Sequence, residues 1–527
     1  MSLVKIYDTT LRDGAQTEGV SFSIEDKLRI TQELDKLGIH YIEGGYAGSN
    51  PRDAEFFMRV QELPLKNAKL TAFGSTKRAN TRADRDLNLR NLLEAGTEVV
   101  TVVGKSWDLH VTDVLRVSLE KNLAMIEDSV KFLKANNREV IFDSEHFFDG
   151  YKADAEYALK TLEAAARGGT DCIILCDTNG GTMPLEVKEI FEAAASRVDV
   201  PLGMHAHNDA GVATGNSIVA VQSGAIQVQG TFNGYGERCG NANLCTLIPN
   251  LKLKLGVDCI SDENLPKLTG VSRLVSELAN LPHDERLPYV GRSAFAHKGG
   301  LHTDAIQKNT RTYEHVNPEI IGNERRILVS DQSGKSTILT KLLRDHPDLG
   351  KDSPEVKQIF NELKEAELDG YQYEGAEGSF ELMMHRILGT HQNSFELKGF
   401  TVLVERSEEH KMRSQATIKL VDADENIEYQ ASEGHGPVDA LSKALRKALM
   451  AFFPEVESVK LTDFKVRVLN ARSGTAAKVR VLIESSDGEH DWGTVGVSED
   501  IIEASWEALV DGIEYKLFKD KKVMSNE

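Results

Sequence analysis

The feature that most constrains this chain is a rhythm in its first half. Short apolar, β-branched runs alternate with amphipathic helical stretches, eight times within about 250 residues. The runs cover residues 4–10, 41–46, 70–74, 99–104, 140–145, 172–177, 202–208 and 226–232. Helical patterns lie between them, among them 154–167, 185–197 and 212–223. The first helix shows the local code. Ser23 with Asp26 three residues on is a variant capping box; Ile24, Leu28, Thr31, Leu34 and Leu37 share one face; Gly38 closes the helix. Eight such α/β units predict a (β/α)8 TIM barrel over residues 1–265. A doubly wound sheet is the other way to arrange them.

Beyond residue 265 the rhythm changes. Residues 266–390 read as mainly helical linker subdomains, with an irregular stretch at 288–326 and an amphipathic helix at 355–367. Residues 391–527 change again. Strands are expected at 400–405, 414–421 and 427–431, then a turn at Gly434-His435-Gly436-Pro437 and a helix at 439–452. The pattern returns with strands at 464–469, 477–484 and 492–497 and a helix at 501–517. Two copies of βββα make an α+β module, an internal repeat with little sequence identity between its halves.

The chain has 62 Lys and Arg against 82 Asp and Glu, a formal charge of -20. Nucleic acid and anionic membrane both need basic surface, so neither is expected as a partner, although a local basic pocket for a phosphorylated cofactor remains compatible. The five cysteines (Cys172, Cys176, Cys239, Cys245 and Cys259) form no C-x-x-C and read as reduced thiols. The first residues run straight into a strand, and no stretch has the length of a membrane span. A cytoplasmic protein is expected.

A barrel of this kind places its active site at the carboxyl ends of the strands. The unusual polar residues fall there: Arg12 and Asp13 after strand one, Glu43 near the end of strand two, Glu145 on strand five, Thr178 after strand six and Asn241 after strand eight. Strand seven carries His205 and His207, which at i and i+2 project to one face. Two histidines satisfied by core hydrogen bonds would give the same pattern. With the Asp13 carboxylate and the Asn241 amide oxygen, however, they make a mixed nitrogen and oxygen set. Mg²⁺ or Mn²⁺ suits such a set, with Zn²⁺ also compatible. Two further positions of an octahedral shell could take a 2-oxo acid, whose ketone the metal would polarise, with Arg12 beside the developing oxyanion. Two motifs mislead. Ser333-Gly334-Lys335-Ser336 resembles the end of a phosphate-binding loop, but its first glycine would fall on Val329. Gly234-Tyr235-Gly236 resembles a dinucleotide fingerprint, but Cys239 takes the third glycine position.

Asp8-Thr9-Thr10-Leu11-Arg12-Asp13-Gly14-Ala15-Gln16, His205-Ala206-His207-Asn208-Asp209 and Gly236-Glu237-Arg238-Cys239-Gly240-Asn241 resemble the metal-dependent Claisen-condensing barrel family. That family includes the 2-isopropylmalate, homocitrate and citramalate synthases. The segments at 143–150 and 296–302 look closest to its citramalate branch. The resemblance implies an acyltransferase that condenses acetyl-CoA with pyruvate, with 2-isopropylmalate or homocitrate synthesis from a larger 2-oxo acid as the alternative. It implies Asp13, His205, His207 and Asn241 as metal ligands and Arg12 as the group stabilising enolate and oxyanion. Glu145 matches an active-site carboxylate, and Thr178 a hydroxyl that binds the 2-oxo acid. His302 and Tyr313 match a pair reaching in from a neighbouring subunit, with His302 as base and His297 its competitor; this implies a homodimer or higher homo-oligomer. Asp143, two before Glu145, stands where related synthases can carry an aromatic pocket wall. Residues 391–527 are similar to the family's amino-acid-sensing module, for which isoleucine is the expected effector. A pocket there would use the glycines at 434–437 and the segment Asn470-Ala471-Arg472-Ser473-Gly474-Thr475. A carbon–carbon lyase would need only the barrel, and a non-catalytic metal-binding sensor would need neither Arg12 nor Glu145.

Overall fold

A computed structural model describes residues 3–48, 51–328, 349–350, 353–406, 412–469 and 477–524. The 333–336 and 470–475 segments lie outside the described residues. The chain forms two compact units, Met1–Phe295 with His315–Arg325, and Ala296–Glu314 with Arg326–Glu527.

The first unit is built on eight strands: β1 (Lys5–Asp8), β2 (Tyr41–Tyr46), β3 (Lys69–Ser75), β4 (Val99–Lys105), β5 (Glu139–Glu145), β6 (Cys172–Asp177), β7 (Leu202–Ala206) and β8 (Gln227–Gly230). They pair in sequence order, all parallel, and close into a barrel when β1 meets β8 from Lys5↔Gln227 to Asp8↔Gly230. Side chains alternate across each strand. One parity (Ile6, Ile42, Val100, Val102, Phe142, Ile173, Leu175, Met204, Val228) faces the helices and joins Ile30, Leu34, Leu92, Val130 and Phe191 in the main core. The other parity (Tyr7, Tyr41, Val99, Ile141, Cys172, Ile174, Cys176) forms a separate inner cluster. The same parity carried further along the strands puts Glu43, Thr101, Asp143, His205 and Gln229 inside the barrel.

Caps fix the helix ends. Ser23 and Asp26 make the reciprocal capping box on Ile24–Leu37, and Gly38 ends that helix at φ 93°. Asp154 caps Ala155–Gly168 through the Tyr157 N–H.

Several boundaries differ from the sequence reading. β1 stops at Asp8 because its carboxylate accepts from the Thr10 backbone N–H at 3.0 Å and the Thr10 hydroxyl at 2.7 Å, which turns the chain. β7 stops at Ala206, so His207 lies just past the strand, where it forms an isolated bridge with Asn241. β8 ends at Gly230, and Phe232–Gly234 is a 3-10 turn. Glu43 is not at the end of β2 but in its middle, fully buried, where the pairing with β3 shifts between Glu43 and Gly45.

In the second unit β9 (Ala296–His297) pairs with β10 (Arg326–Ile327). The repeat follows. β11 (Phe395–Glu405), β12 (Arg413–Asp422) and β13 (Ile427–Gly434) form one antiparallel sheet with the helix Pro437–Phe452; β14 (Lys460–Val468), β15 (Val479–Ser486) and β16 (Asp491–Ser498) form a second with the helix Ile501–Met524. Gly434 ends β13 instead of opening a turn, because the strand continues to pair with Ser414. Both halves share one core, in which Ile418, Leu420, Ala444 and Leu445 meet Val481, Ile483, Ala508 and Leu509. The helices Pro354–Asp369 and Glu377–Ile387 cover the second sheet: Val356, Ile359, Leu363, Phe380 and Met384 cluster with Val495 and Val497. The Val495 N–H donates to Ser379 Oγ at 3.0 Å, and Arg386 pairs with Asp511 at 3.0 Å. Leu403, Ile427, Tyr429 and Val468, by contrast, are each more than half exposed.

Candidate active site

The Thr9–Asp13 turn brings Asp13 to the mouth of the barrel beside both histidines. Nε2 of His205 lies 3.7 Å and Nε2 of His207 3.8 Å from Asp13 Oδ2. Asp13, His205 and His207 are all buried, and one potential ligand atom from each lies within 4.8 Å of the others. Asn241 joins them through the His207–Asn241 bridge. Its Nδ2 donates to the Tyr235 carbonyl at 3.2 Å. A Cβ on Gly236, which sits at φ +154°, would collide with that nitrogen, so the residue must be glycine for Asn241 to fit. Asp13 Oδ1, His207 Nδ1 and Asn241 Oδ1 are buried without a hydrogen-bond partner among the described residues. Buried polar atoms are costly to leave unpaired. An unpaired carboxylate oxygen and an unpaired amide oxygen, with Nε2 of both imidazoles turned toward the carboxylate, fit a divalent cation.

The electrostatics agree. Burial pushes His205 down to about 3, helped by the His207 imidazole, so the ring is neutral, as a ligand must be. Burial works against charge on Asp13, but the Arg12 guanidinium beside it holds the carboxyl below its ordinary range. Behind His205, Nδ1 meets Gln229 Oε1 at 3.0 Å, and Gln229 Nε2 donates to Asp143 Oδ1 at 3.1 Å. Burial and the neighbouring Glu43 push the Asp143 carboxyl well above its ordinary range.

Arg12 is fixed on three sides. Its Nε donates to Glu43 Oε1, its Nη1 to Asp13 Oδ2 at 3.1 Å, and its guanidinium lies 4.0 Å from the centre of the Phe73 ring. Glu43 in turn accepts from the Thr9 hydroxyl at 2.7 Å and from the Tyr7 hydroxyl. Burial opposes the Arg12 charge, yet Glu43 and Asp13 keep it firmly protonated.

Arg12, Asp13, Phe73, His205 and His207 line a cavity of about 1310 Å³ together with Asp143, Glu145 and Thr178. Glu145, at the end of β5, forms an ion pair with Lys105 at the end of β4. Thr178 Oγ1 accepts from the His146 N–H at 2.9 Å. His146 holds that geometry in the left-handed region, at φ 56°. Arg238 ties the loops together, with its Nε 2.8 Å from Asp209 Oδ1 and its Nη2 2.6 Å from the Thr178 carbonyl. Arg52, Lys77 and Arg78 add positive charge to the cavity wall.

His302 and Tyr313 belong to the second unit, where their rings stack at 4.0 Å between centroids. Both are exposed. His297, in the same unit, instead pairs with the buried Glu314 at 3.3 Å. Sequence reasoning missed Lys105, Gln229 and the anchoring role of Glu43. Inward parity on β2, β4 and β8 is the signal that marks all three.

Comparison with known proteins covers nearly the whole chain. Residues 3–275 match the HMGL-like family, 289–369 the homocitrate synthase post-HMGL domain-like family, and 374–517 the LeuA allosteric (dimerisation) domain. The chain is 55% identical to "(R)-citramalate synthase" of Geobacter sulfurreducens, covering 99% of each chain. It is 54% identical to the Aquifex aeolicus protein of the same name, covering 98% of each. To that of Synechocystis sp. it is 51% identical, over 97% of this chain and 96% of the other.

Proposed function

The chain belongs to the (R)-citramalate synthase family, and from that footing we propose that its barrel joins acetyl-CoA to pyruvate and hydrolyses the thioester, giving citramalate and CoA. Such a reaction opens a route to isoleucine that does not pass through threonine. The observation that carries the choice of acceptor is the whole-chain likeness, 55% identity over 99% of both chains.

Asp13, His205, His207 and Asn241 would hold a divalent cation, Mn²⁺ or Mg²⁺ by the hardness of the oxygen ligands, with Zn²⁺ compatible with the imidazoles. When bound, it supplies Lewis-acid polarisation of the ketone. The rest falls to side chains. Thr178, whose oxygen is already used as an acceptor by the His146 N–H, keeps its own proton to donate to the 2-oxo acid carboxylate. His302 of a neighbouring subunit, with Tyr313 against it, takes a proton from the acetyl methyl group; Glu145, held by Lys105, assists. The resulting enolate carbon bonds to the ketone carbon. Arg12, immobilised by Glu43 and Phe73, faces the negative oxygen that forms. Water then cleaves the thioester and releases CoA. A cavity of about 1310 Å³ exceeds the roughly 300–1,000 Å³ of a single small-molecule pocket, as a two-substrate site requires. Arg52, Lys77 and Arg78 suit the phosphates of CoA.

The test is CoA release with pyruvate, 2-oxobutyrate, 2-oxoisovalerate and 2-oxoglutarate. Pyruvate should give the highest kcat/KM. A clear win for 2-oxoisovalerate or 2-oxoglutarate would move the enzyme to the isopropylmalate or homocitrate branch and leave the metal site and the base untouched.

The division of labour we propose is catalysis in residues 1–265, helical linker subdomains in 266–390, and sensing with dimerisation in 391–527. Exposed apolar side chains on the repeat, Leu403, Ile427, Tyr429 and Val468, support a homodimer. No helix among the described residues is long and apolar enough to cross a membrane, and no cysteine is in a disulfide, which supports a cytoplasmic setting. Isoleucine is the effector we propose, acting through a typical coupling of about 1–3 kcal/mol. Because Pro354–Asp369 and Glu377–Ile387 cover β16, cutting the chain near residue 390 would strip a core face, so the full chain is the proper sample. Titrated with isoleucine, leucine and valine, it should lose CoA release with isoleucine at the lowest concentration. Absence of both binding and inhibition by all three would leave the repeat as a dimerisation module.

A further inference from the structure

His205 has two ring nitrogens, and only one can serve a cation. Nε2 faces Asp13 at 3.7 Å. For that nitrogen to offer its lone pair, the neutral ring must carry its proton on Nδ1. Nδ1 is buried, and a buried N–H needs an acceptor. Gln229 Oε1 is there at 3.0 Å. A glutamine amide can face either way, presenting oxygen or NH₂, and the reversed amide would force the proton onto Nε2 and close the site. What sets the orientation is its other end. Gln229 is fully buried on β8, and its Nε2 finds Asp143 Oδ1 at 3.1 Å, an acceptor on β5 across the barrel interior.

We propose that Gln229 and Asp143 are positioning residues that hold His205 in its Nδ1–H tautomer and so set the affinity of the site for a divalent cation. This rests on the reading of Asp13, His205 and His207 as ligands. The relay joins two regions that have separate tasks: Asp143 borders the cavity beside Glu145, while His205 belongs to the ligand cluster. Neither Gln229 nor Asp143 contributes a ligand atom.

The experiment measures Mn²⁺ affinity of the full chain by the free-ion EPR signal, alongside the Tm of the metal-free protein. Losing a partner behind a ligating histidine typically costs about 10–100-fold in metal affinity. Gln229→Met, which keeps volume and removes the acceptor, should lose that much. Asp143→Leu should lose a similar amount, because the amide is then free to reverse. Asp143→Asn keeps a carbonyl that accepts from Gln229 and should stay close to wild type. A purely structural role would lower Tm in Gln229→Met and Asp143→Leu while the folded protein kept wild-type affinity, and that result overturns the proposal. So does a large affinity loss in Asp143→Asn, a conservative change that tests the relay even if both larger substitutions prevent folding. His207→Ala separates the two readings. If wild type and His207→Ala bind Mn²⁺ equally, the ligand assignment itself is wrong; if only His207→Ala loses it while Gln229→Met binds normally, the assignment stands and the relay falls.

Discussion

Replacing His207 with alanine should remove the divalent metal and CoA release together and leave the fold intact. His207 is buried, its Nδ1 has no hydrogen-bond partner among the described residues, and its Nε2 is 3.8 Å from Asp13, beyond hydrogen-bond range. Its side chain therefore makes no hydrogen bond among the described residues and only an edge contact with the His205 ring, 5.2 Å between centroids. The bridge to Asn241 is made by backbone and survives the substitution. What the variant loses is one of two imidazoles. Without the cation the ketone is not polarised, a term worth several kcal/mol, or roughly a hundred- to thousand-fold or more in rate. Elemental analysis, CoA release and circular dichroism on one sample decide it. Full activity with bound metal would remove His207 from the ligand set; lost secondary structure would contradict the packing described above.

The barrel was legible because each strand must satisfy two environments. Outward positions such as Val100, Val102, Phe142 and Leu175 meet helices and are apolar. That pattern, with caps at Ser23 and Asp154, shows in the sequence as eight repeats. The clustering of Asp13, His205 and His207 was legible for a related reason: i, i+2 spacing and position after a strand are local properties. Partnerships across the barrel were not. Lys105 meets Glu145, and His205 meets Gln229, through the pairing register of neighbouring parallel strands. That register is set by crossover helices and barrel closure, which no short stretch encodes. Glu43 was placed near a strand end, whereas β2 runs on to Tyr46 with its pairing to β3 shifted between Glu43 and Gly45, a feature of the partner strand that a single stretch does not carry. In the second unit, alternation revealed both βββα copies. The amphipathic pattern at 355–367 announced that something covers its apolar face, but a hydrophobic stripe does not name its partner; here it is β16, with the helix Glu377–Ile387 beside it.

A chain carrying His302→Ala and a chain carrying Arg12→Ala should each be inactive alone and regain activity when their subunits are mixed. The two residues sit in different compact units, Arg12 in the barrel and His302 in the segment Ala296–Glu314. Arg12 is buried to 13% side-chain exposure and immobilised by Glu43, Asp13 and Phe73, so the barrel supplies it ready-made. His302 is exposed and stacked on Tyr313, 48% exposed itself. Two solvent-facing rings held together are what a group destined for another subunit's site would look like before assembly. In a symmetric dimer with in-trans donation, each mixed pair has one site with both residues and one site with neither. Random exchange makes about half of the dimers mixed, so about a quarter of wild-type CoA release should return. The intact site takes Arg12 from the His302→Ala chain and His302 from the Arg12→Ala chain. Subunit exchange is verified by two tags before assay. If mixed dimers form and CoA release stays at the level of the separate variants, His302 serves its own subunit or no site at all, and His297, paired with Glu314 at 3.3 Å, becomes the histidine to test as base.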